Sequence, residues 1–154
     1  MGRIIYYSYW GTYAAYTMAA IHAGIYKQDR LPQAEWIAAQ YDLCRRYGGQ
    51  YGNLIYVGLD SRFREIYSLG CRQHSGMVAR ALKHISKIFQ IEEPLCFIDA
   101  RPMEGKIPGL LQRCSFQWSR TAERLFEAWF SNKYWACLKQ VQSAMQELED
   151  GNNI

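Results

Sequence analysis

The sequence contains no CxxC pair, and its five cysteines, Cys44, Cys71, Cys96, Cys114 and Cys137, are odd in number and widely scattered. That pattern excludes a disulfide ladder or a zinc knuckle and fits a reducing compartment. The histidines, His22, His74 and His84, share no ligand spacing with the cysteines, so no metal site is expected. No apolar run is long enough to cross a membrane, and no leader-like segment precedes the first apolar stretch. The expected setting is cytoplasmic, without membrane contact. A concentrated basic face is missing too. The net charge is only +4, and the cations are dispersed from Arg45 and Arg46 through Arg80 and Lys87 to Arg120 and Arg124. That dispersal argues against nucleic acid as a partner.

What is present is an ordinary globular composition: 154 residues, 49% hydrophobic and 21% charged. One domain is expected, a single α/β unit over residues 1–149 with a flexible tail at 150–154. Tyrosine is abundant, with 12 copies, and Tyr6, Tyr7, Tyr9, Tyr13 and Tyr16 crowd the N-terminal region. Strand propensity and packing account for that crowding better than a stacking surface for a planar ligand does.

The organising stretch is Ile4 to Gly24. Ile4-Ile5-Tyr6-Tyr7 reads as a buried strand within residues 1–9, Trp10-Gly11-Thr12 as a turn, and residues 12–23 as a helix with Thr12 as N-cap and Gly24 ending it. A turn at the carboxyl end of a strand and facing a helix N-terminus is where α/β sheets bind anions.

Further on, Pro32 opens a helix to Tyr47, broken by Gly48, Gly49 and Gly52. Residues 54–59 and 64–69 read as an antiparallel hairpin at a sheet edge, the second strand half-exposed. Ser75 to Phe89 has helical apolar spacing, with Ser75 as its cap. Residues 94–100 are apolar on both faces and read as a central strand. Residues 106–119 are less regular, a helix after the loop. For the final stretch, a strand at 125–130 followed by a helix at 132–149 is preferred over one continuous helix. The fold class is a three-layer α/β domain with a mixed, mainly parallel sheet of about five strands and helices on both faces.

Ile4-Ile5-Tyr6, Gly11-Thr12, Ala19-Ala20-Ile21-His22-Ala23-Gly24 and Asp29-Arg30-Leu31-Pro32 together resemble an uncharacterised bacterial family, domain of unknown function 3189. Gly58-Leu59-Asp60, residues 65–70, the helix from Val78 to Phe89 and a terminal helix carrying Tyr134 are similar too. The resemblance covers most of the chain. It implies a shared fold and a bacterial cytoplasmic setting, and no established activity. The family carries a Gly-Gly turn followed by a His-Ser-Ser-like triplet. Here Trp10 stands for the first glycine and Tyr13-Ala14-Ala15 for the triplet, so only Gly11 and Thr12 match.

The candidate chemistry follows from position. Gly11 and Thr12 form an anion cradle at a helix N-terminus, although no P-loop lysine is present. Asp60 and Asp99 follow strands and suit Mg²⁺ coordination, general-base work or turn capping. Arg101 suits an anionic ligand. If both strands run parallel to the first, Gly11, Thr12, Asp60, Asp99 and Arg101 share one edge and bind a phosphate-containing small ligand or nucleotide. No cofactor is implied, no catalytic residue is assigned, and phosphoryl or phosphoester chemistry is the reaction class left open. Cys71 and His74 are a weaker nucleophile–base pair. His22 reads as a structural cation at a helix C-terminus. The competing reading is a non-catalytic interaction module or homo-oligomer that uses exposed aromatic residues such as Trp135.

Overall fold

The computed structural model describes residues 2–114 and 119–151. Ten elements follow one another: β1 (Arg3–Ser8), α1 (Ala14–His22), α2 (Ala34–Tyr47), β2 (Leu54–Leu59), β3 (Glu65–Gly70), α3 (Ser75–Ile88), β4 (Leu95–Asp99), α4 (Arg101–Glu104), α5 (Ile107–Arg113) and α6 (Ser119–Gly151). The strands form one sheet in the order β2-β3-β1-β4. β1 pairs parallel with β3 on one side and with β4 on the other, while β2 runs antiparallel to β3.

The sheet has four strands rather than about five. The missing one is the stretch 125–130, which lies inside α6. Its apolar residues recur at helical spacing: Ala122, Phe126, Trp129 with Phe130, Tyr134, Cys137 with Leu138, Val141 and Ala144 are all buried. A period of 3.6 buries that stripe on one side, which alternation along a strand could not do. α6 continues through Gly151, past the expected tail boundary at residue 150. The rest of the expected tail, residues 152–154, and residues 115–118 of the less regular stretch lie outside the described residues.

β3 is central and largely buried rather than half-exposed, and β4 is an edge strand rather than a central one. The unbroken apolar run of β4 has a different cause. Cys96 and Ile98 face the main core, and Leu95 and Phe97 face a smaller cluster on the opposite side. The two faces of the sheet are unequally covered. α1, α2 and α6 build the main core against Ile4, Tyr6, Ile66 and Ile98. On the other face, among the described residues, only α3 contributes, setting Val78 and Leu82 against Ile5, Tyr7, Tyr67 and Leu69.

α1 is buried on nearly every side, because Ala14, Ala15, Ala19 and Ala20 let β1 and α6 approach it closely. Such a helix takes its stability from packing rather than from amphipathicity. Its N-cap is Tyr13, not Thr12, and no side chain caps it. α3 likewise starts at Ser75 with His74 as an uncapped N-cap. Gly24 does end α1, at φ +73°, a conformation glycine adopts without steric cost.

Candidate functional site

The strand order turns back at β1. The chain leaves β1 for β3 on one flank and returns past it to β4 on the other. At such a reversal the loops beyond the carboxyl ends of the strands diverge and leave a crevice. Backbone bonds hold the loops around it: Ala100 N–H donates to Tyr7 O, Cys71 N–H to Ser8 O and Arg72 N–H to Tyr9 O. Two glycines make the tightest point. A Cβ on Gly11, at φ +81°, would lie 2.4 Å from the Gly70 nitrogen, and one on Gly70 would lie 2.6 Å from the Trp10 carbonyl oxygen. Only paired glycines allow the turn after β1 to touch the end of β3.

The crevice is an open cavity of about 900 Å³, within the size range of small-ligand sites. Tyr9 and Trp10 form one wall, and Ile107, Gly109 and Leu110 from α5 another. Four cations line it: Arg72 after β3, Arg101 after β4, Lys106 before α5 and Arg113 at the end of α5. Among the described residues, the single carboxylate in the lining is Glu104.

Glu104 is 3% exposed. Its Oε1 accepts from the Ser8 hydroxyl at 3.1 Å and, more loosely, from Trp10 N–H at 3.4 Å. Its Oε2 accepts from Tyr9 N–H at 3.1 Å. Burial pushes this carboxyl up to about 7 against the opposing pull of those three donors. The first amides of the turn after β1, expected to cradle a ligand's anion, are taken by the chain's own Glu104 carboxyl. A fourth bond, from Trp129 Nε1 to the Glu104 carbonyl, ties α4 to α6.

Gly11 and Thr12 lie behind this arrangement. Gly11 N–H donates to the Ser8 hydroxyl oxygen at 2.9 Å. Thr12 is 1% exposed, and its hydroxyl has no hydrogen-bond partner among the described residues. The Thr12 carbonyl is held from α2 by Gln40 Nε2 at 3.2 Å and by the Cys44 thiol at 3.1 Å. Neither residue lines the cavity.

Asp99 and Arg101 do stand at this edge, paired with each other. Arg101 Nε and Nη2 reach the Asp99 carboxylate at 2.9 and 2.7 Å. Burial alone would raise the Asp99 carboxyl, but the bonds from Arg101 outweigh it and hold the group below the usual carboxylate range. Asp60 lies at the opposite edge. β2 enters the hairpin antiparallel, so its end abuts the start of β3 and the amino end of β1. There Asp60 accepts from the backbone N–H groups of Arg62 and Arg64, both at 2.9 Å, and from Arg64 Nε at 2.6 Å. Its role is to cap a turn, and it cannot share a ligand with Asp99.

His22 sits beside Asp60. Its Nδ1 is 2.7 Å from the Tyr6 hydroxyl, and its Nε2 is 3.5 Å from Asp60 Oδ2 without forming a hydrogen bond. Burial lowers it to about 4, with Asp60 opposing. The ring is thus neutral at pH 7, not the helix-terminal cation its position in the sequence suggested. The pairing of Cys71 with His74 loses its basis as well. Burial pushes the Cys71 thiol up to about 11, away from thiolate, while His74 is exposed and contributes only a backbone bond to Cys71 O.

Glu104, Arg72, Lys106 and Arg113 escaped sequence reasoning. Nothing in local spacing points Glu104 back to Tyr9, 95 positions away. The one available signal was the charged run leaving β4, which drew attention to Asp99 and Arg101 and stopped there. Arg72 carries a signal visible only in three dimensions. It holds φ +49°, and its guanidinium stacks 3.9 Å from the centre of the Tyr51 ring, which neighbours Tyr9 and Trp10.

Among the described residues, no helix is long and apolar enough to cross a membrane. No curated protein and no solved structure matches this chain. One family model does, over residues 3–146. That span takes in every strand and all three loops around the cavity, and the chain belongs to the family described as protein of unknown function (DUF3189).

Proposed function

We propose that this chain binds a phosphate-bearing small molecule in the cavity at the carboxyl ends of β1, β3 and β4. The observation that carries the reading is the convergence of Arg72, Arg101, Lys106 and Arg113 on a crevice whose only carboxylate among the described residues, Glu104, is buried and easily protonated. Cations from separate loops, focused by apolar walls, concentrate an anion without needing a P-loop. Charge-assisted bonds to phosphate oxygens contribute about 1.5–3 kcal/mol each. Trp10, with Tyr9 set against it at 61°, offers an aromatic contact for a planar group attached to that phosphate, which makes a nucleotide the natural first ligand to try.

The anion belongs at the mouth, on Lys106 and Arg113, rather than at the Gly11-Thr12 turn. Glu104 already occupies the amides there. Arg101 is half-neutralised by Asp99 and serves as the secondary contact.

Titration calorimetry with sulfate, inorganic phosphate and nucleoside phosphates tests this. Lys106→Ala combined with Arg113→Ala should weaken every anion at least tenfold. Thr12→Ala should leave affinity unchanged. Asp99→Asn should tighten sulfate binding by freeing Arg101, at a stability cost below about 1 kcal/mol for a half-exposed pair. Undiminished binding in the double variant moves the site elsewhere. Sulfate keeps its charge across neutral pH, so its affinity should rise as the pH falls through 7 and Glu104 takes up a proton.

A further inference from the structure

The unequal covering of the sheet leaves a surface that the cavity does not explain. A four-stranded sheet is about 19 Å wide at ~4.8 Å per strand, and a helix with its side chains covers about 10 Å. The α3 face has one helix where the other face has three. Lys83 Nζ lies 5.7 Å from the centre of the Phe97 ring, so that flank of α3 is over β4. The opposite flank looks toward β3 and β2. On that side of the sheet Leu54 opposes Leu69, and Tyr56 opposes Tyr67, with Tyr56 and Tyr67 ring centres 5.5 Å apart. Among the described residues Leu54 and Tyr56 are left open, at 47% and 55% exposed.

The flank of α3 bordering this vacancy is apolar. Met77, Ala81, Ile85 and Ile88 follow one another at intervals of four, four and three residues, which aligns them along one helix seam. Met77 is 64% and Ile88 74% exposed, and Phe89 prolongs the seam past the end of the helix. Ala81, at the centre, is small enough for another backbone to approach closely. An unoccupied trough one helix wide thus lies beside an exposed ridge one helix wide.

We propose that the occupant of the trough is a second copy of this chain, packed about a two-fold axis that sets the α3 seam of each copy on the β2–β3 half-face of the other. A two-fold interface must be self-complementary, with the same patch meeting itself, and a ridge next to a matching trough satisfies that condition. The area is sufficient. At about 200 Å² per fully exposed side chain, these residues leave on the order of 700 Å² open, close to the roughly 800 Å² per partner of a standard stable interface. That also exceeds the largest apolar patch of a typical monomer, roughly 300–600 Å². α3 has no acidic residue, and its Arg80, Lys83 and Lys87 lie off the seam, so the seam itself is uncharged. The interface lies on α3 and β2, away from Trp135 on α6.

Sedimentation velocity at about 100 μM, well above the μM dissociation constants of the weakest interfaces of this size, tests the assignment. The wild-type chain should sediment as a dimer. Ala81→Arg should give a monomer with an unchanged circular dichroism spectrum, and Ile88→Asp, near the exposed end of the helix, should weaken the dimer at least tenfold. Trp36→Asp, on an exposed apolar residue of α2, should remain dimeric. A monomeric wild type overturns the proposal, and vesicle binding by that monomer would give the seam to a lipid surface. A dimer that survives both α3 variants, or one that Trp36→Asp also dissociates, overturns it as well. Sulfate binding in the cavity should be the same in all four proteins, so the outcome here and the outcome for the cavity are read separately.

Discussion

At the carboxyl ends of the parallel strands, Glu104 is buried on the floor of an open cavity ringed by cations. At the amino ends, His22 is buried just as deeply but is packed between Tyr6, Asp60 and Arg64. Both groups are forced toward neutrality by burial, the acid upward and the base downward. The difference lies in what surrounds them. His22 and its neighbours satisfy a turn and one another, so that end is closed on itself. Glu104 is held on its inner side by Ser8, Tyr9 and Trp10, and it lines a cavity that Arg72, Arg101, Lys106 and Arg113 also line. The degree of burial does not separate the two groups; what differs is that Glu104 borders the open cavity and His22 does not.

The comparison is most severely tested at Gly11. The open end is framed by backbone touching backbone, so Gly11→Ala imposes both an unfavourable positive φ and a contact of 2.4 Å with Gly70. A loss of more than about 4 kcal/mol in urea unfolding is expected, enough to abolish a cooperative transition in a marginal domain. The closed end is framed by side chains. Asp60→Ala strands Arg64 and removes the acceptor for two turn amides, at a cost of about 3 kcal/mol. Sulfate affinity should not change in that variant. If Asp60→Ala weakens anion binding, the two ends are coupled and the contrast fails.

Acidity gives the finer test, because the two groups act with opposite sign. His22 is depressed from 6.5 to about 4, so its contribution is present above pH 6.5 and is lost as the pH falls toward 4. Glu104 is raised from 4.5 to about 7, so its contribution is present below pH 4.5 and is lost as the pH rises through 7. Each is worth up to about 3 kcal/mol, at 1.36 kcal/mol per pKa unit. Between pH 4.5 and 6.5 the slopes oppose each other, and unfolding free energy in the wild type should stay nearly flat. His22→Gln should fall in stability with rising pH over that window, and Glu104→Gln should climb. Asp60 and Asp99, both held below 3.8, add their own losses only in more acid solution. Parallel slopes in the two variants would mean that one of the buried groups is not titrating as its surroundings dictate.

Much of the frame could be read from the residues. The apolar run at Ile4–Tyr7, the hairpin around Asp60 and the helical spacing of 75–89 rest on short-range periodicity, and each stands in the fold. The stretch 125–130 is ambiguous by itself because its five apolar residues, broken only by Glu127, suit either period, and the burial of Tyr134, Val141 and Ala144 beyond them shows which one holds. The antiparallel entry of β2 is legible in the sequence, whereas the place of Asp60 beside the start of β3 follows from the pairing register. Of the five residues expected to share one edge, Arg101 lines the cavity and Asp99 is paired with it, while Asp60 lies at the other end of the sheet. Gly11 and Thr12 are nearby but sealed behind Glu104, a contact that no local rule could foresee because it closes a loop of 95 residues.

The helix α6 also bears on how the protein is made. Over 33 residues it extends about 50 Å at 1.5 Å per residue, and its stripe from Ala122 to Ala144 completes the core that begins at Ile4. A growing polypeptide has therefore released all four strands while one whole side of the sheet still lacks its largest covering. Until Ala144 clears the ribosome, Tyr6, Tyr13 and Phe126 can be sheltered only by chaperones or transient collapse. The rate of translation through α6 thus bears on how long the nascent chain is open to aggregation.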